Sequence, residues 1–340
     1  MTIRADFAIA LIIAIFSTLL TGPSPLQAQS SPSAADSAPK ASHASSASGV
    51  PVQPQVLPLA PPFTLTPAEE ANLNQFLKDW EIANNGIKTF KCSFTRLEYD
   101  PAIAGGNPNQ ATTVSKGDLK YAAPDKGMFH VKELTNYVPN PKTGQIVEQK
   151  GEPTEWWTCD GSSMFEVTVR NNGDKVEKLV VEKPLPPEMR GKAITDGPLP
   201  FVFGAKAATL KSRYFMRIIT PAVNAQNEVW LEAFPKQQKD AANFSRVNLI
   251  LKKADLQPAA IQIFNPGANV QNASRTVIML EDASINNPWA PLQNLFDDFA
   301  RPNPIGYKHV LEQNLVPPPA TTQIPAGDNS QASRVKSAPK

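Results

Sequence analysis

The feature that most constrains this chain is a change of hydrophobic period near residue 88. From Thr66 to Asn84 the apolar residues Leu73, Phe76, Leu77 and Trp80 recur at i, i+3, i+4 and i+7, the spacing of one helix face. From Phe90 onward the pattern alternates, with Phe90, Cys92 and Phe94 on one side and Lys91, Ser93 and Thr95 on the other. A period of 3.6 buries a stripe and a period of 2 buries one face of a strand, so this order predicts one amphipathic helix laid against a sheet. The helix carries its own punctuation. Thr66 can cap it, Pro67 suits its first turn, Glu69 and Glu70 sit beside the positive end of its dipole, and Asn84-Asn85-Gly86 stops it.

Short alternating runs then follow at Thr112 to Tyr121, Met128 to Leu134, Glu155 to Cys159, Met164 to Val169 and Lys175 to Glu182. Others come at Arg213 to Thr220, Glu228 to Phe234, Ser245 to Lys253, Ala259 to Phe264 and Ser274 to Leu280. Each is bounded by Pro, Gly, Asn or Asp, and the Asp160-Gly161 turn after Trp156-Trp157-Thr158-Cys159 is the clearest hairpin signal. Even spacing of short strands predicts a mainly β protein: a curved antiparallel sheet of about eleven strands forming an incomplete, half-open barrel, not βαβ units. The pattern breaks between Pro184 and Leu210, where Leu199, Phe201 and Phe203 crowd between Gly197 and Gly204 and Ala205 to Lys211 reads as a short helix. Such a helical insertion in a meander is expected to cover an open face or end of the sheet, together with the N-terminal helix.

The two ends read differently. Arg4, the apolar run Phe7 to Leu20 and the small-residue site Leu26-Gln27-Ala28 make residues 1–28 a signal peptide. The alternative is an uncleaved anchor, but the run is shorter than the roughly 20 residues that a span requires. Residues 29–62 are a Ser/Ala/Pro-rich linker and residues 313–340 a similar tail, flanking a domain at 63–312. The expectation is therefore an exported protein, periplasmic or extracellular, with no membrane span after cleavage. Lys and Arg number 33 against 31 Asp and Glu, a net charge of +2 spread without long blocks, which argues against nucleic acid. Cys92 and Cys159 would meet an oxidising compartment, as either a bridge or two buried thiols.

Catalytic patterns are missing. His43, His130 and His309 have no ligand partners at metal spacing, and neither G-x-S-x-G, H-E-x-x-H nor a phosphate-binding glycine loop occurs. His130 reads as a half-exposed strand residue and Asp160 as a turn former. No enzyme, cofactor or metal is expected. The candidate ligand-binding residues are apolar: Phe90, Phe94, Leu119, Tyr121, Trp157, Phe165 and Trp230, with Leu199, Phe201 and Phe203 on the insertion. They either line a hollow or fill an ordinary core, and the aromatic insertion is either a hinged lid or a fixed plug.

The order of four blocks resembles the lipoprotein-carrier superfamily of LolA, LolB and RseB. These are the leading helix, Phe90 to Arg96, Gly117 to Pro124 and Trp157 to Gly161. Gly197 to Gly204 and Leu210 to Tyr214 resemble more closely a family of exported planctomycete proteins taken to share that fold. The resemblance spans roughly Thr66 to Leu311 and implies an unclosed barrel whose apolar face, covered by helices, accepts lipid acyl chains or a lipoprotein. An RseB-like regulatory module with an envelope protein as partner is the alternative it implies. In one departure, Ala123 precedes Pro124 where the carriers place an arginine.

Overall fold

The computed structural model describes residues 59–172, 175–187, 190–191, 206–221, 223, 225–268, 273–287 and 299–312. The expected signal peptide, most of the expected linker, the expected tail and the insertion residues Leu199, Phe201 and Phe203 lie outside these.

Helix α1 spans Pro67–Asn84 and begins in a capping box. The Thr66 hydroxyl accepts from the Glu69 backbone N–H at 3.3 Å, and the Glu69 carboxylate accepts from the Thr66 N–H at 2.8 Å, so two donors of the open helix end are satisfied reciprocally. Leu73, Leu77 and Trp80 are buried, whereas Ile82 on the far side is 71% exposed, so the stripe read from the sequence is the face that packs.

The strands are β1 (Thr89–Tyr99), β2 (Thr113–Ala122), β3 (Lys126–Pro139), β4 (Ile146–Gly151), β5 (Trp156–Asp160), β6 (Ser163–Asn172) and β7 (Lys175–Pro184). A short helix α2 (Ala207–Arg213) leads into β8 (Tyr214–Ile219) and β9 (Glu228–Pro235), then a single turn α3 (Gln238–Ala241). The chain continues through β10 (Arg246–Lys252), β11 (Pro258–Phe264), β12 (Arg275–Ile285) and β13 (Lys308–Leu311). All belong to one 13-stranded sheet in the order β13-β7-β6-β5-β3-β2-β1-β12-β11-β10-β9-β8, with β4 paired to β3 beside that path. The path has two ends, so the sheet is open. Every pairing is antiparallel except β13 on β7.

The topology is two meanders sharing a central seam. From β1 the chain steps outward to β7, restarts at the opposite edge with β8, and steps back inward until β12 pairs with β1. Residues 185–213 therefore connect opposite ends of the strand order. Helix α1 packs on α2 and β8. Its Leu73, Leu77 and Trp80 join Phe90, Cys92 and Phe94 of β1, Leu231 of β9 and Leu249 of β10 in one continuous apolar core. We call the sheet face that carries this core the inner face.

Two strands escape the alternation rule that found the others. All of β4 except Gly151 is exposed, and so is every residue of β13. A strand that buries neither face has no apolar alternation to read, and its place is set by backbone pairing alone. Leu59, assigned to the linker by composition, donates its N–H to the Lys236 carbonyl at 3.0 Å, so ordered structure starts before the helix cap.

The cysteines are two free, buried thiols. Cys92 on β1 and Cys159 on β5 are separated by β2 and β3 at ~4.8 Å per strand and are offset along the strands by two residues, which puts them well beyond the reach of a disulfide.

Candidate functional site

The inner face can be followed from register. Cys92 lies opposite Leu119, Leu119 opposite Phe129, and Phe129 opposite Trp157, a row crossing β1, β2, β3 and β5. The next row holds Phe94, Gly117 and Val131. Gly117 shapes both rows. A Cβ built on it would meet the His130 carbonyl oxygen at 1.9 Å and Phe94 Cζ at 2.8 Å. With no side chain on β2 at that point, the Phe94 ring lies across the strand and stacks on Phe129 at 4.4 Å between centroids and 13° between planes. Phe129 in turn stacks on Trp157 at 5.9 Å and 9°. Three near-parallel rings from three strands thus floor this part of the inner face.

Beside the stack the apolar face turns abruptly ionic. Arg96 continues the inward parity of Phe90, Cys92 and Phe94 and is only 5% exposed. Its Nη2 lies 2.7 Å from Glu155 Oε2, and its Nε lies 3.3 Å from Glu98 Oε1 and donates to Ser115 Oγ at 2.9 Å. The guanidinium carbon stands 5.8 Å from the Phe129 ring centre. Glu155 is 8% exposed. Burial disfavours the charged guanidinium, but Glu155 and Glu98 more than offset it and hold the Arg96 pKa above its ordinary value. The Glu98 carboxyl is pushed up by burial, with Glu155 adding repulsion and Arg96 opposing both. Three buried polar atoms here have no hydrogen-bond partner among the described residues: Arg96 Nη1, Glu155 Oε1 and Trp157 Nε1.

Phe90, Phe94, Leu119, Tyr121 and Trp157 are brought together in the inner core. Phe165 is placed elsewhere. Met164 is the inward residue of β6, opposite Cys159, so Phe165 one position on points to the other face, where it packs with Val167 and Val180 under Trp156 and Tyr307. Trp230 is also on the outer face, since its neighbour Leu231 fills the inner core. It is half-buried and its Nε1 donates to the Glu228 carboxylate at 2.8 Å. Sequence reasoning missed Arg96, Ser115 and Glu155. A signal was present for Arg96, a charged residue at a core-facing parity. Glu155 had none, because its partner lies on a strand 59 residues earlier.

The geometry offers little to acid–base or nucleophilic chemistry. Burial pushes the Cys92 thiol up to about 12 and the Cys159 thiol up to about 11, which keeps both protonated and unreactive. His130 stacks on Trp156 at 4.2 Å, and burial, reinforced by Lys132, lowers its pKa so that the ring is neutral. Among the described residues no group of three or more His, Cys, Asp or Glu side chains could hold a metal ion. None of their helices is long and apolar enough to cross a membrane.

No family model matches the chain, and no curated protein matches it. The chain is similar to several solved structures only at a low level. A chain of the Pseudomonas aeruginosa MucA/MucB complex is 12% identical with a TM-score of 0.29; the match covers 64% of this chain and 58% of that one. LprF from Mycobacterium bovis is 12% identical with a TM-score of 0.30, over 64% of this chain and 97% of its own. A LolA superfamily protein from Nitrosomonas europaea is 8% identical with a TM-score of 0.22, over 63% and 94%. The chain thus spans somewhat over half the length of the MucA/MucB chain and most of the other two, and likeness at this level transfers no residue role from them.

Proposed function

We propose that this is an exported, noncatalytic lipid-binding protein of the cell envelope, which holds acyl chains against the inner face of its open sheet beneath helix α1. The observation that carries the reading is the aromatic floor of Phe94, Phe129 and Trp157, made continuous by Gly117 and joined without a break to the apolar stripe of α1. Stacked rings and aliphatic side chains offer dispersion and area burial but no directional chemistry, which suits a flexible hydrocarbon chain. The protonated thiols and neutral His130 agree with a role in holding a ligand.

The test is direct. The protein purified from its native host is extracted with organic solvent and the extract analysed by lipid mass spectrometry. Acyl lipid in near-stoichiometric amount is expected. A lipid-free preparation accompanied by a co-purifying envelope protein would replace the carrier-like reading with that of a protein-interaction module.

A further inference from the structure

The polar part of the inner face carries buried hydrogen-bonding atoms that no described residue pairs with. Arg96 and Glu155 spend only one edge on each other, Nη2 against Oε2 at 2.7 Å, and the remaining atoms Nη1 and Oε1 are buried without a partner. Trp157 Nε1, from the last ring of the stack and two residues beyond Glu155, which immediately precedes β5, is likewise buried and without a partner among the described residues. A buried donor or acceptor left unmatched carries its full desolvation penalty. The unpaired set here is chemically definite: two donor nitrogens and one carboxylate oxygen, beside an apolar floor.

The charge here selects among ligands. One guanidinium faces two carboxylates, Glu155 and Glu98, and the nearer one is in charge-assisted contact with it. An incoming carboxylate or phosphate finds a cation already neutralised and meets carboxylate repulsion in a place where burial strengthens it. A hydroxyl meets no such opposition. Its oxygen accepts from Arg96 Nη1 or Trp157 Nε1 while its hydrogen donates to Glu155 Oε1, so one group satisfies both sides of the ion pair.

We propose that Arg96, Glu155 and Trp157 form a headgroup site that selects lipids ending in an uncharged hydroxyl-bearing group, such as a glycerol ester, over lipids ending in a free carboxylate or phosphate. This rests on the acyl-binding reading above and adds headgroup specificity to it.

The experiment is displacement of the neutral fluorescent probe N-phenyl-1-naphthylamine from the purified protein by 1-monolauroylglycerol or by laurate, at pH 8.5 and matched chain length. The expected result is displacement by the glycerol ester at about tenfold lower concentration than laurate, the difference worth one hydrogen-bonded group. In Glu155→Gln that preference falls to near parity, because the repulsion is reduced and Arg96 is freed to pair with the fatty carboxylate. Should Glu155→Gln fail to fold, Glu98→Gln, on a more exposed carboxylate, is expected to narrow the preference in the same direction. Equal displacement by both lipids in the wild type overturns the headgroup site and leaves acyl binding intact. A glycerol-ester preference unchanged in both variants also overturns it, because the unpaired atoms are then satisfied by a structural water. Displacement by neither lipid removes the acyl-binding reading and the headgroup site together.

Discussion

Gly117 marks the place on β2 where two inward rows of side chains must merge into one stack. Its role is one of space, since the Phe94 ring occupies the volume that a β-carbon would claim and the His130 carbonyl closes the other side. Backbone cannot retreat as a flexible side chain can, so Gly117→Ala is expected to cost at least about 1–3 kcal/mol, the usual range for overpacking. The urea midpoint of the variant measures it. Gly86 serves as control, having nothing within 4 Å of the corresponding position, and Gly86→Ala should leave the midpoint unchanged or slightly raised. Equal effects at the two glycines would mean that the Phe94–Phe129 stack does not form as described. Arg96 poses a different residue-scale problem. A buried ion pair is weak evidence for stability, because burying both charges costs about as much as their attraction returns.

At the scale of elements, α1 and the strand edges follow separate logics. The helix is specified locally by its capping box and stripe, and then held by what the stripe touches. Leu77→Ala is therefore expected to lower stability by about 2–5 kcal/mol, as for other buried leucines, whereas Ile82→Ala on the exposed side should stay within about 0.5 kcal/mol. Thermal denaturation of the two variants distinguishes the faces, and similar losses would place the helix in the wrong rotation. The edges need protection of another kind. At one end β13 is only four residues long, carries Lys308 and His309, and is tied to β7 by the His309 ring 2.8 Å from the Glu182 carboxylate. Short, charged edge strands discourage pairing with other chains. Near the other end Phe63 packs edge-on against Phe234 at 5.9 Å and lies under Arg217 at 4.7 Å, so the segment before the helix helps to cover β8 and β9.

For the whole molecule, the decisive arrangement is the closure of two meanders on the β1–β12 seam, which puts the first strand in the middle of the sheet. Cys92 then sits near the centre and Cys159 three strands away, with no bridge between them. Added reductant should accordingly leave the melting temperature unchanged, and a thiol reagent should modify both cysteines only as fast as the protein opens. A fall in melting temperature on reduction would mean that the strand order is wrong. The helix, its cap, the turns and most strands were legible in the residue order because each leaves a local trace: a period, a capping pair, or a Gly or Asp where the backbone turns. Phe90 and Phe94 could be assigned to one face of β1, and Leu119 and Tyr121 to one face of β2, for the same reason. Phe165 and Trp230 could not be told from them by character alone, since a strand offers both faces and only the register with its neighbours decides which is inside. The pairing of Arg96 with Glu155, the merging of Phe94 and Phe129 over Gly117, and the seating of β4 and β13 were likewise decided in three dimensions. Each depends on residues far apart in the chain whose proximity is a property of the sheet as a whole, whereas periodicity reports only what lies within a few positions of itself.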